Sequence, residues 1–229
     1  MRYDLHLHSH YSKDAINKPR DIVKYFKKNG MDFAITDHNN AQAWREIKKY
    51  SRQYKVECVF GEEIMVFDNG KYIGEFIGLF LNKEVKPGQY EEVLEELEKQ
   101  SALISVPHPF DALRKPVILK PMFREKKRAK YILKRIHAIE GYNSRVLLQG
   151  FNKKACSFAR QYSLALTGGS DAHFPQELGN GYTEIPGSTK EELFTAIKKR
   201  QTTCNGILSS PIVHLLTQIR KRTNLFGEK

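Results

Sequence analysis

Four places in the sequence set histidine and carboxylate side chains where a short apolar run ends. His6 and His8 close the run Tyr3 to Leu7. Side chains two apart on a strand share a face, so both imidazoles can chelate one ion. Asp37 and His38 follow Phe33 to Thr36, where an unpaired buried charge would be costly. His108 leaves the run Leu103 to Val106 between Pro107 and Pro109, which fix its direction. Asp171 and His173 repeat the two-residue spacing after Gly168-Gly169. Each place also has a plain structural reading. His6 and His8 would then be satisfied core histidines, Asp37 a helix cap, and His10 a surface residue.

Carboxylates complete the set. Glu62 and Glu63 end the run from Val56. Strand neighbours face opposite ways, so one of the two can point inward. Glu75 precedes the run Phe76 to Leu81, Glu140 ends His137 to Glu140, and Asp14 lies in the loop after the first strand. Histidine, aspartate and glutamate without cysteine suit Zn, Mn or Fe. The donors exceed what one ion needs, which predicts two or three divalent ions. Such centres suit phosphoester hydrolysis, since the ions bind phosphate oxygens and activate water. No serine or cysteine nucleophile is required, and Ser170 has no dedicated base.

The elements that must position these residues alternate. Strands are predicted at Tyr3 to Leu7, Phe33 to Thr36, Val56 to Phe60, Phe76 to Leu81, Leu103 to Val106, Ala138 to Gly141 and Leu164 to Leu166. Helices are predicted at Pro19 to Asn29, Ala41 to Gln53, Tyr90 to Lys99, Lys126 to Arg135, Leu148 to Tyr162 and Lys190 to Arg200. Pro19 and Gly30 suit the two ends of the first helix, and Thr189 with Glu192 forms a capping box for the last. This order predicts a parallel sheet or a closed α/β barrel, with strand-end residues gathered at one mouth. Residues 1–229 read as a single domain. It has a basic loop at about 111–130, a final helix from Pro211 and a loosely ordered tail after about 223.

Of 229 residues, 40% are hydrophobic and 28% charged, which excludes disordered and collagen-like chains. The longest apolar run falls short of the ~20 residues that a membrane helix needs. The opening MRYDLHLHSH lacks the apolar core of a signal peptide, so a cytoplasmic location without membrane contact is expected. Cys58, Cys156 and Cys204 show no CxxC spacing, which argues against a disulfide framework or a thiolate zinc site. A net charge of +12 favours an anionic substrate or a polyanionic partner, RNA or DNA included. The plainer alternative is a soluble basic surface. The densest basic run is Arg124 to Lys130, continued by Lys134 and Arg135.

The motifs DLHLHSHYSKD, AITDHN, GEEI, SVPHPF, AIEGYNSR and GGSDAH, in this order, resemble the PHP (polymerase and histidinol phosphatase) domain family. The resemblance runs from Asp4 to about Pro186. It implies a single distorted (β/α)7 barrel, TIM-barrel-like, with a trinuclear metal centre at its mouth. Carried over, His6, His8, Glu63 and Asp171 would hold one ion. Glu63 would bridge to a second ion held by His108, and Glu75 stands where the family often has histidine. His38 and His173, with Asp14, would hold the third. Glu140 would support the site from behind, and Arg145 would bind phosphate. The other reading of Arg145 is a structural pair with a glutamate. Arg114, Lys115 and Arg124 are further candidates to grip the substrate. If not fully tied to metal, His38 or His173 would protonate the leaving oxygen, a metal-bound water being the alternative, with Asp171 beside them as a catalytic residue. The expected activity is hydrolysis of a phosphomonoester of the nucleotide, sugar phosphate or histidinol phosphate class. The alternatives are a nuclease acting on RNA or DNA ends and a nucleic-acid-binding scaffold without catalysis.

Overall fold

A computed structural model describes residues 1–111 and 125–225. Its strands are β1 (Arg2–Asp4), β2 (Asp32–Ile35), β3 (Cys58–Asp68), β4 (Lys71–Leu79), β5 (Gly88–Gln89), β6 (Leu103–Val106), β7 (Ala138–Asn143), β8 (Ala165–Gly169), β9 (Gly181–Glu184) and β10 (Thr203–Gly206). The helices are α1 (Pro19–Asn29), α2 (Trp44–Tyr54), α3 (Tyr90–Lys99), α4 (Lys126–Leu133), α5 (Gln149–Gln161), α6 (Lys190–Lys199) and α7 (Ile212–Leu225). The strands form one sheet in the order β10-β9-β1-β2-β3-β4-β6-β7-β8, with β5 added to β3. Strands β1, β2 and β3 pair in parallel, as do β6, β7 and β8.

The sheet curls until β8 meets the first strand. The Leu5 amide donates to the Gly168 carbonyl at 3.2 Å, and Leu7 bridges Ala172. Gly168 also exchanges hydrogen bonds with the Thr183 hydroxyl of β9, at 2.8 and 3.1 Å. The result is a nearly closed, distorted barrel with helices outside it. Gly169 is required at the seam: a Cβ there would fall 2.3 Å from the Cβ of His6.

The sheet differs from a plain seven-unit parallel barrel in two ways. Strand β4 is antiparallel to both β3 and β6. Asn69 and Gly70, with φ of 49° and 74°, make the two-residue turn that joins it to β3. An Asn-Gly pair of this conformation favours a tight hairpin over a helical crossover. Strands β9 and β10 are also antiparallel additions, and their sequences GYTE and TCNG carry little apolar alternation. Strand β1 stops at Asp4, because His6 and His8 leave the ladder to form the mouth.

Helix α1 follows its sequence closely. Ile22, Val23 and Phe26 are buried at helical spacing, Phe26 stacks on Phe33, and Gly30 closes the helix at φ 61°. Helix α6 starts at the Thr189–Glu192 capping box. Helix α2 begins at Trp44, three residues later than predicted. The end of the expected 111–130 loop is helical, as α4. Residues 112–124, with Arg114, Lys115 and Arg124, and the last residues, 226–229, lie outside the described residues. No helix among the described residues is long and apolar enough to cross a membrane.

Candidate metal centre

Six strands point their C-terminal ends to one mouth, and β4 reaches it with its N-terminal half. That reversal brings Glu75 to the site. It pairs with Met65, while Glu63 pairs with Ile77, so both glutamates lie on one face of the hairpin. Glu62 faces the other way and accepts the Val85 amide at 2.7 Å.

The Glu63 carboxylate is the hub. Its Oε2 lies 3.3 Å from His6 Nε2, 3.4 Å from His8 Nε2 and 3.0 Å from His38 Nδ1. Its Oε1 lies 3.0 Å from His108 Nε2. Asp171 Oδ1 stands 3.3 Å from His8 Nε2 and 3.7 Å from His6 Nε2. Asp14 closes the far side, 3.3 Å from His173 Nε2 and 3.7 Å from His38 Nε2. Glu75 is 3.9 Å from His108 Nε2. All nine sequence-predicted ligands therefore meet at one mouth. Their donor atoms fall into overlapping groups: His6, His8, Glu63; His6, His108, Asp171; His38, Glu63, Glu75; and His8, His38, His173.

A ring of buried partners holds these side chains. Glu140 Oε1 lies 2.9 Å from His6 Nδ1, and its Oε2 accepts the His108 amide at 2.7 Å. Asn143 donates one amide group to both Glu140 and Asp171, at 3.0 Å each. Asp4 accepts the Ser170 amide and hydroxyl and the Gly179 amide, tying β1 to the Asp171 loop. Asp37 accepts from Ser9 and Ser12, which folds the loop after β1 back over the mouth. Sequence reasoning did not assign Asp4, Asn143 or Glu177 a role. The one available signal was Asp4, two residues ahead of His6 on the same strand face. Two of the site residues, His108 and Asp171, adopt positive φ of 28° and 55°.

Arg145 takes the structural one of its two readings. It is buried, and its Nε lies 3.1 Å from Glu177. Its Nη2 donates to the Val213 carbonyl at 3.2 Å and to the Thr217 hydroxyl at 2.5 Å, both on α7. Glu177 in turn accepts the amides of His173 and Phe174. The guanidinium thus fastens α7 to the His173 loop.

The electrostatics are those of a cation trap. Burial opposes ionisation of Glu63, yet the charges of His6 and His38 and a hydrogen bond from His108 hold it well below the usual carboxylate range. Burial acts to lower His6, but Asp171, Glu140 and Glu63 raise it well above the ordinary value. Burial also opposes the charged form of His38, while Glu63 and Asp14 push it up to about 9. His8 is driven down to about 3 by burial and by His38 and His173, so its ring nitrogen keeps a free lone pair. His6 Nε2 and His8 Nε2 are only 3.2 Å apart and share both Glu63 and Asp171. Two imidazoles and two carboxylates converging in this way fit a divalent ion held by nitrogen and oxygen.

The family model described as PHP-associated matches residues 149–202. A protein of Methanocaldococcus jannaschii is 37% identical over 187 residues, covering 81% of this chain and 70% of that protein. The chain belongs to the PHP domain family. A second M. jannaschii protein is 39% identical over 127 residues, covering 50% of this chain and 71% of that one. Solved structures share the fold. A two-domain Bacteroides vulgatus protein, containing a predicted PHP-like metal-dependent phosphoesterase, superposes with TM-score 0.73 at 18% identity, over 96% of this chain and 69% of that one. PsfC from Pseudomonas syringae gives 0.65 at 18% identity, over 97% and 98% of the two chains. An amidohydrolase from Chromobacterium violaceum, solved with sulfate and no metal, gives 0.64 at 13% identity, over 89% and 97%.

Proposed function

We propose that this PHP-family protein is a metal-dependent phosphoesterase that hydrolyses a phosphomonoester of the nucleotide, sugar phosphate or histidinol phosphate class. The observation that carries the reading is Glu63, one carboxylate within 3.4 Å of four imidazoles, as a bridging ligand would be. His6, His8 and Asp171 would hold one divalent ion with Glu63. Glu63, His108 and Glu75 would hold a second, and His38, His173 and Asp14 a third, the metal being Zn, Mn or Fe. When bound, such ions supply positive charge to a phosphoryl group and lower the pKa of water.

The chain's own residues supply position and protons. Glu140 and Asn143 fix the rings and carboxylates from behind, so the donors need no reorganisation on loading. His38 is the most open of the site imidazoles, its side chain 29% exposed. Where it does not hold an ion it would give the leaving oxygen a proton, and otherwise a metal-bound water would do so. His173, turned by its 2.8 Å contact with the Asp171 carbonyl, is the second candidate.

Turnover of an aryl phosphate tests the reading. Activity supplied by Mn, Zn or Fe, lost with chelator and lost in Glu63→Gln, is the expected result. Metal-replete protein that cleaves neither aryl phosphates nor any of a panel of nucleotides and sugar phosphates would contradict it. A second reading, a nucleic-acid end as substrate, is favoured by the net charge of +12.

A further inference from the structure

Away from the metal centre, two of the three cysteines meet. Cys156 lies on α5 and Cys204 on β10, and both are half-buried. Between them runs Gly141 of β7. A Cβ on Gly141 would fall 2.8 Å from Cys204 Sγ and 3.0 Å from Cys156 Sγ. The two sulfurs fill the space that a side chain at 141 would need, so glycine is required there. The Cys156 thiol donates to the Gly141 carbonyl at 3.4 Å. Both cysteines line a surface cavity of about 320 Å³, together with Tyr142, Lys153 and Arg160. A small reagent can enter beside the pair from solvent, and one lysine and one arginine favour an anionic one. Cys58 differs: its thiol donates to the Val59 carbonyl, and burial pushes it well up.

We propose that Cys156 and Cys204 form a redox-active dithiol, which low-molecular-weight disulfides of the glutathione class convert to an intramolecular disulfide. Cys156 is the attacking group. A hydrogen bond from Cys204 outweighs burial and, with the charge of Arg160, brings the Cys156 thiol down to about 7. Its thiolate is thus available near neutral pH. Cys204, pushed up by the same hydrogen bond and by burial, keeps its proton until the second step.

The exchange balances. The Cys156 thiolate attacks one sulfur of the oxidised reagent, breaks its S–S bond and expels one thiolate. Cys204 then gives its proton to that thiolate and attacks Cys156 Sγ in the mixed disulfide, expelling the second thiolate, which takes up from solvent the proton that Cys156 released on ionising. Two cysteine thiols are oxidised to one disulfide, and one reagent disulfide is reduced to two thiols. The new bond would fasten α5 to β10 across the strand that carries Glu140, one residue from Gly141. It would also close a long loop and restrain the unfolded chain.

The test is peptide mapping of the full chain after exposure to oxidised glutathione at neutral pH, with Cys58 as internal control. The expected product is a Cys156–Cys204 disulfide in the monomer, reversed by dithiothreitol, with a raised Tm and Cys58 still free. Cys204→Ser should stop at a glutathione adduct on Cys156, and Cys156→Ser should stay unmodified at Cys204. Three results would overturn the proposal: both thiols still free in the wild type, a glutathione adduct on wild-type Cys156 that never closes, or disulfides only between chains.

Discussion

Glu63 can serve as hub only because other side chains prevent its neighbours from rotating away, and Glu140 is the chief of these. It contacts one histidine through the ring and another through the backbone. Removing such a partner typically weakens metal affinity or activity by about 10–100-fold. Glu140→Ala should do so with the fold intact, measured by metal competition against a chromophoric chelator; unchanged affinity would mean that the rings need no brace. Loading is also linked to protons. His38 is raised to about 9 and is therefore protonated below that pH in the metal-free protein. A ligand must be neutral, so affinity rises with pH towards about 9, and binding at neutral pH releases protons. Calorimetric titration with metal in two buffers of different ionisation enthalpy should give different heats, and equal heats would contradict the linkage. Most of these ligands were legible because they sit where apolar runs end. The choice of Glu63 over Glu62 came from the family pattern alone. Asp4 and Asn143 were hidden because their partners, Gly179 and Asp171, lie 175 and 28 residues away.

Two devices at the level of elements build the mouth. The β3–β4 hairpin reverses direction at Asn69-Gly70 and so delivers Glu75 beside Glu63. That turn was written in the sequence, but the polar start of β4, Lys71 to Glu75, hid the beginning of a strand that was predicted only from Phe76. Helices were more legible, since their apolar spacing and caps are local signals. Strands β9 and β10 were not legible, because they are held by pairing with β1 and each other rather than by their own alternation. The second device is the Arg145–Glu177 pair, which ties α7 to the backbone of His173. Breaking a buried pair on one side costs about 3–5 kcal/mol, or a Tm roughly 6–20 °C lower in a chain of this size. Arg145→Met should show that loss in a thermal melt and should also weaken binding of the ion that His173 would hold. A melt within a degree of wild type would show that α7 is held by other contacts.

At the scale of the whole molecule, the donors gather at one mouth from β3 and β4, from the ends of β1, β2, β6 and β8 and from the loop after β1. The general plan of alternating strands and helices with a strand-end site was readable from order alone. Closure was not, since the seam between Leu5 and Gly168 joins residues far apart in the chain. The charge of +12 belongs to this scale too. If a nucleic-acid end is the substrate, binding of a short RNA should weaken steeply with salt, by about 10³–10⁵-fold between 50 and 200 mM for 6–10 phosphate contacts. Salt-independent or undetectable binding would leave the small phosphomonoester. The proposed centre would hold more than one ion through Glu63. Elemental mass spectrometry of the purified protein beside Glu63→Gln decides this. Two or three equivalents of Zn, Mn or Fe are expected in the wild type and the loss of at least one in the variant, with its circular dichroism unchanged. Metal-free wild-type protein under every loading condition, or equal metal content in both proteins, would contradict it.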